Sequence, residues 1–287
     1  MYRIGLVGAQ SFHAQEFSKL INQLGVIDAA VTHIWGEPGQ EERTAQLSSE
    51  YKIQTICYNY TDMLGNIDAA MLLTRNGADH FKQAKPFMDA RIPIWIDKPV
   101  ALHSSDVATL CDYAQSHHVP LMGGSTLKHS SKIRDLKQLL TSFEKIDYFS
   151  FSYCSSIDAP TGGASFYGIH LAEIIYHLFG DEINSIVANR YGKTITVLLN
   201  YKNGMVANLI MTDGGYKNTY SVIGGGSYAA AHIDCHDCYE QELQYLYDVL
   251  SGRTAPLSPS QFTVPVKIME AVEQAIVCES QQLPYLP

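Results

Sequence analysis

The chain has no uninterrupted apolar run long enough to cross a bilayer, and no cluster of lysine and arginine. The first absence excludes a transmembrane helix, which needs about 20 consecutive apolar residues. The second, with 20 basic residues against 29 acidic ones and a net charge of −9, argues against nucleic acid and anionic membranes as partners. No secretory pattern stands ahead of the first strand, since Met1-Tyr2-Arg3 leads straight into Ile4-Gly5-Leu6-Val7. Cysteine is scarce and scattered (Cys57, Cys111, Cys154, Cys235, Cys238 and Cys278), so reduced thiols in a cytoplasmic protein are expected. Repeats and low-complexity tracts are also missing. What remains is a chain of 287 residues, 46% hydrophobic and 17% charged, with the balance of a folded protein and the length for two domains.

The first half alternates strand and helix. Ile4–Val7 reads as a strand, Gly8-Ala9-Gln10-Ser11-Phe12-His13 as a turn, and Phe17, Leu20, Ile21 and Leu24 as one face of a helix. Further strands are expected at 29–35, 68–73, 94–96 and 119–122. Helical stretches lie between them, one over 40–51 and one opened by Ser104-Ser105-Asp106. This alternation predicts a doubly wound parallel sheet over residues 1–122. From about residue 146 strands follow strands: 146–153, 183–190, 194–201 and 205–212, with Asn203-Gly204 as a hairpin signal. A second, α+β domain over 123–287 with an open, largely antiparallel sheet is the expectation, closed by two helices. Tyr239, Leu243, Leu246 and Leu250 mark one helix, and Val266, Met269, Val272 and Ile276 the other.

Chemistry concentrates where the strand Ile94-Trp95-Ile96 ends in Asp97-Lys98-Pro99. In open parallel sheets ligands gather beyond the carboxyl ends of strands. A lysine there moves a proton when its surroundings bring its pKa toward neutrality. The Gly8 turn has the strand–turn–helix form that receives a pyrophosphate on helix-end amides. Aligned on Gly8, however, the G-x-G-x-x-G pattern has Gln10 and His13 at its second and third glycines. The second strand ends Trp35-Gly36-Glu37-Pro38, which makes Glu37 the candidate for the adenosine ribose, displaced by one place.

These features resemble, in this order, the family of glucose–fructose oxidoreductase, inositol dehydrogenase and the rhizopine-catabolism oxidoreductases (Gfo/Idh/MocA). The resemblance rests on Ile4 to His13, the strand Ile67 to Thr74 with His80, and Trp95-Ile96-Asp97-Lys98-Pro99. Gly168-Ile169-His170-Leu171-Ala172-Glu173 and Gly180 complete it. It implies a Rossmann-like domain, NAD or NADP as cofactor, and oxidation or reduction of a sugar, polyol or related hydroxy or keto compound. It also implies a homodimer or homotetramer formed through the open sheet. Asp97-Lys98-Pro99 is similar to the family's Glu-Lys-Pro, which would set Lys98 beside nicotinamide and substrate and Asp97 at the nicotinamide ribose. Gly8, Gln10, Ser11, Phe12, His13, Thr74, Arg75, Asn76 and His80 take positions that line the nucleotide. Gly168 and His170 match the family's Asp-x-Gly-x-His, but Phe166 stands at the aspartate. Lys98, His170 and Tyr167 are therefore the acid–base candidates, with Asp158 and Glu173 as further substrate contacts.

Other readings compete. Gln10, His13, Gly36 and Phe166 all depart from the oxidoreductase pattern, so the fold could serve a sugar-derivative sensor, a regulatory subunit or an enzyme of another class. His170, Glu173 and His177 share a helix face, as a zinc site would need, yet no resident metal is expected. Cys235-His236-Asp237-Cys238 has no second C-x-x-C, and ordinary thiols are the better reading.

Overall fold

The computed structural model describes residues 1–214 and 217–277 and the backbone of 283–284. Cys278 lies outside the described residues. The chain divides into two compact units: Met1–Thr126 with Tyr239–Phe262, and Leu127–Cys238 with Thr263–Pro287.

The first unit carries six strands: β1 (Tyr2–Val7), β2 (Ala29–Trp35), β3 (Thr55–Ile56), β4 (Ala69–Leu72), β5 (Ile94–Asp97) and β6 (Leu121–Gly124). All are parallel, in the order β3-β2-β1-β4-β5-β6. Four helices connect them: α1 (Phe12–Ser18, continued by a π-helical turn over Lys19–Gln23), α2 (Glu41–Tyr51), α3 (His80–Asp89) and α4 (Ser104–Ser116). Strand order reverses between β1 and β4, which makes the loops after these strands the natural ligand crevice of such a sheet. Every residue of β4 and β5 is buried, as befits central strands covered on both faces. β6 lies so close to β5 that a Cβ on Gly123 (φ 118°) would fall 2.0 Å from the Ile96 carbonyl oxygen. Only glycine permits that approach.

The helix Cys238–Leu250, which chain order assigned to the second domain, clusters from Tyr239 onward with the first unit. Its apolar stripe is the cause. Leu243 and Leu246 are fully buried in the same core as Ile4, Phe17 and Trp95.

The second unit begins with α5 (Ser131–Leu140), β7 (Tyr148–Cys154) and α6 (Ser165–Phe179). It continues through β8 (Ile183–Tyr191), β9 (Thr194–Tyr201), β10 (Val206–Thr212), β11 (Asn218–Gly224) and β12 (Ser227–Ile233). The late helices are α7 (Cys238–Leu250) and α8 (Pro259–Val277), and a short strand β13 (Leu283–Pro284) pairs with β8. The sheet order is β12-β11-β7-β10-β9-β8-β13, antiparallel except for the pair β7 and β10. The β9–β10 hairpin forms at the expected Asn203-Gly204, with Tyr201 N–H donating to Met205 O at 2.9 Å and Gly204 at φ 86°. Five of these elements come without expectation: β3, α5, β11, β12 and β13. β12 reads Ser-Tyr-Ala-Ala-Ala-His-Ile and is mostly exposed, so it lacks the alternation that marks a half-buried strand.

Candidate active site

Gly8 follows β1 at φ 109°, and its N–H donates to Trp35 O at 2.8 Å. A Cβ there would lie 2.7 Å from the Thr74 amide nitrogen, so the turns after β1 and β4 touch through a residue without a side chain. Ser11 caps α1, its hydroxyl accepting from Ala14 N–H at 3.2 Å. Gln10 and His13 stand where the fingerprint has its second and third glycines. Gln10 is exposed, with Gln40 Nε2 3.5 Å away, and His13 is turned onto Asp97, Nδ1 to Oδ2 at 2.7 Å. Phe12 remains 59% exposed beside this turn. An extended nucleotide therefore fits the residues present.

The tip of β5 is enclosed. Asp97 and Lys98 are only 5% and 6% exposed. Asp97 Oδ1 accepts from the Lys98 amide at 2.7 Å, and a cis peptide joins Lys98 to Pro99. His80 is fully buried, with Nδ1 3.0 Å from Val100 O and Nε2 2.9 Å from Thr74 O. It thus joins the turn after β4 to the Lys98-Pro99-Val100 segment, and its own ring is not presented to solvent. Thr74 is equally enclosed, its hydroxyl donating to Gln83 Oε1 at 2.7 Å. Asn76 accepts from Ala78 N–H at 3.2 Å and donates to Asp79 Oδ2 at 2.8 Å, while Arg75 beside it is exposed. Glu37 accepts from Gln40 Nε2 at 3.1 Å. Any side chain at Gly36 would meet Thr44 Oγ1 at 1.9 Å, so the acid at the end of β2 stands at 37.

In the second unit, α6 passes close to its neighbours at Gly168, where a Cβ would meet Met269 Cε at 2.5 Å and Met211 Sδ at 2.9 Å. His170 is buried on this helix, its ring 5.2 Å from that of Tyr153 and 6.4 Å from that of Tyr167. Tyr153, on β7, was missed by sequence reasoning. Nothing local marks it, because its nearness to His170 arises from strand–helix packing. Burial pushes its phenol well above the usual range, aided by the neighbouring Tyr167 and cysteines. Phe166 is buried with its ring edge-on to Tyr167 at 4.9 Å, so an aromatic contact occupies the position of the family's aspartate. Glu173 is buried and accepts from Lys128 Nζ at 2.7 Å. Asp158 pairs with Arg190 at 2.7 Å.

Among the described residues no three histidine, cysteine or acidic side chains are grouped to hold a metal ion. Glu173 engages Lys128, and His177 lies where a proton is unwelcome. Burial, then the charges of Lys137 and Lys128, hold its imidazole down to about 4; burial and Lys128 also push His129 well below its usual range. All five described cysteines are free, and burial raises Cys235 and lifts Cys57 and Cys111 to about 11, the state of inert thiols.

The low value at His177 predicts an acid sensitivity. The folded ring stays neutral down to about pH 4, whereas an unfolded histidine takes a proton near 6.5. Unfolding therefore binds a proton between those values, and stability falls as pH drops through that window. Thermal unfolding followed from pH 7 to pH 4.5 should show a falling midpoint, with a flatter slope in His177→Gln. Equal slopes in the two proteins would contradict the assignment.

Comparison with known proteins agrees with this geometry. Residues 2–125 match the model of the oxidoreductase family with NAD-binding Rossmann fold (Gfo/Idh/MocA). A UDP-N-acetylglucosamine 3-dehydrogenase of Acidithiobacillus ferrooxidans is 26% identical over 139 residues, which is 47% of this chain and 41% of that protein. The matched region thus spans less than half the length of this relative. Two solved structures share the whole fold. Myo-inositol 2-dehydrogenase of Lactobacillus plantarum superposes with a TM-score of 0.85 at 15% identity, covering 99% of each chain. Scyllo-inositol dehydrogenase of Lactobacillus casei, solved with NAD(H) and scyllo-inositol, gives 0.82 at 16% identity, again covering 99% of each. No helix among the described residues is long and apolar enough to cross a membrane. With its glycine turn, switch point and Asp97-Lys98 tip in place, the stretch 2–125 is similar to the NAD-binding Rossmann domain of the Gfo/Idh/MocA oxidoreductase family.

Proposed function

We propose that this protein is an NAD-dependent dehydrogenase or reductase acting on a carbinol or keto carbon of a sugar, polyol or related compound. The observation that carries the reading is Lys98, held in an enclosed position at the tip of β5 with its backbone fixed by Asp97, next to the switch point of a family sheet. The amides at Gly8 and the start of α1, with Ser11, would hold the diphosphate, and Glu37 the adenosine ribose. An acid at that place repels a ribose phosphate, which favours NAD over NADP. Bound nicotinamide supplies the hydride acceptor or donor. Lys98 exchanges the proton with the substrate oxygen. Within the second unit, His170 and Tyr167 on α6 are the hydroxyl-binding and proton-carrying candidates, and Lys128 holds Glu173 of the same helix. The sugar and inositol chemistry of the relatives supports the substrate class.

The test is a fluorescence titration with NADH and NADPH, followed by absorbance at 340 nm with NAD and a panel of inositols, aldoses and nucleotide sugars. NADH should bind in the micromolar range and more tightly than NADPH, and at least one polyol or sugar should reduce NAD. A flat titration with both nucleotides would sink the proposal.

A further inference from the structure

We infer that His13 is a positioning residue whose imidazole sets the Asp97 carboxylate and, through it, the backbone at Lys98. The inference rests on the function proposed for Lys98 and adds a residue whose place in the motif belongs to glycine.

Asp97 is a carboxylate almost out of water, and such a group must be met by donors. Among the described residues it has two: the Lys98 amide on Oδ1 and His13 Nδ1 on Oδ2, each at 2.7 Å. An ionised carboxylate only accepts, so Nδ1 carries the hydrogen. The side chains of the pair are 12% and 6% exposed, which keeps water from substituting easily for either partner. The ring is itself held in place. Tyr239 meets it edge-on at 5.2 Å and Phe17 at 6.0 Å, and Phe17 rests against Trp95 at 5.2 Å. Trp95 sits two residues before Asp97 on the same strand and donates to Glu242 at 2.5 Å. The late helix therefore supports the site at two points: Tyr239 packs on the His13 ring, and Glu242 holds Trp95, against which Phe17 rests. A histidine at this position closes a hydrogen bond that glycine could not make.

The test compares three substitutions at constant fold, checked by circular dichroism. In His13→Asn the amide nitrogen stands where Nδ1 stood, so the bond to Asp97 persists. His13→Leu keeps the volume and removes the donor. Leaving a buried acceptor without its donor has a cost that corresponds to about a tenfold loss in NADH affinity. We expect that loss in His13→Leu, a value within about threefold of wild type in His13→Asn, and no added loss from His13→Leu once Asp97→Ala is present. A leucine variant that binds NADH like wild type, or an asparagine variant as weak as the leucine one, overturns the inference. Nitrogen-15 spectra of the imidazoles provide a readout that needs no nucleotide. Nδ1 of His13 should be protonated and shift in Asp97→Ala, and an unshifted signal overturns the inference even if NADH binds. Wild-type protein that ignores NADH while showing the protonated, Asp97-dependent Nδ1 removes the proposed function and with it the site that His13 would position.

Discussion

Replacing Lys98 by methionine lowers turnover by about a thousandfold while the affinity for NADH stays within about fivefold of wild type. A positioned acid–base group contributes roughly 10²–10⁴ in rate, and the proton of a carbinol has to go somewhere as the carbon is oxidised. Methionine matches the unbranched stem of lysine, so the enclosed position at the end of β5 keeps its packing while the amine is lost. Arginine does not rescue, because a guanidinium retains its protons and cannot act as a base. The measurement is the rate at 340 nm with NAD and whichever polyol or sugar the wild type oxidises, beside an NADH titration of each variant. A methionine variant with near-normal turnover would mean that another group moves the proton, and Lys98 would lose its role. A variant that loses nucleotide binding and turnover together would indicate that the lysine serves in binding instead.

What could be read in the sequence was the part that local pattern encodes. β4 and β5 announce themselves as unbroken apolar runs because both faces are covered, and Asp97-Lys98 falls at the strand end where this sheet type places ligands. The stripe of Leu243, Leu246 and Leu250 marks a helix equally well, but a stripe says nothing about which core it enters. Its placement with Ile4 and Trp95 followed only from packing. The same limit hid the partners of the site residues. His13 and Asp97 are 84 positions apart, Lys128 and Glu173 are 45 apart, and no periodicity links either pair. His80 shows the limit from the other side. The pattern flagged the residue, while its function in the fold, a buried clip between two backbone segments, depends on carbonyls that any sequence would supply. β12 was invisible because none of its alanines is buried, so they give no contrast between faces.

The second large effect is one of stability, in Glu173→Leu. Lys128 and Glu173 are 7% and 6% exposed and meet at 2.7 Å, so the substitution takes a directly bonded counter-charge from an ammonium that water hardly reaches. Breaking a buried pair from one side costs about 3–5 kcal/mol, far more than a surface pair is worth. Denaturant unfolding should show that loss for Glu173→Leu and a comparable one for Lys128→Met. In the double variant two apolar side chains replace the two charges, and the desolvation penalty of both ions disappears with their attraction. The combined loss should then be smaller than either single loss, a strongly non-additive result. Because Glu173 sits one helical turn beyond His170 on α6, the single variant should also disturb the histidine's ring environment, whereas the double variant should restore it. Additive losses would mean that the two groups are held by separate surroundings and that their contact does not organise α6.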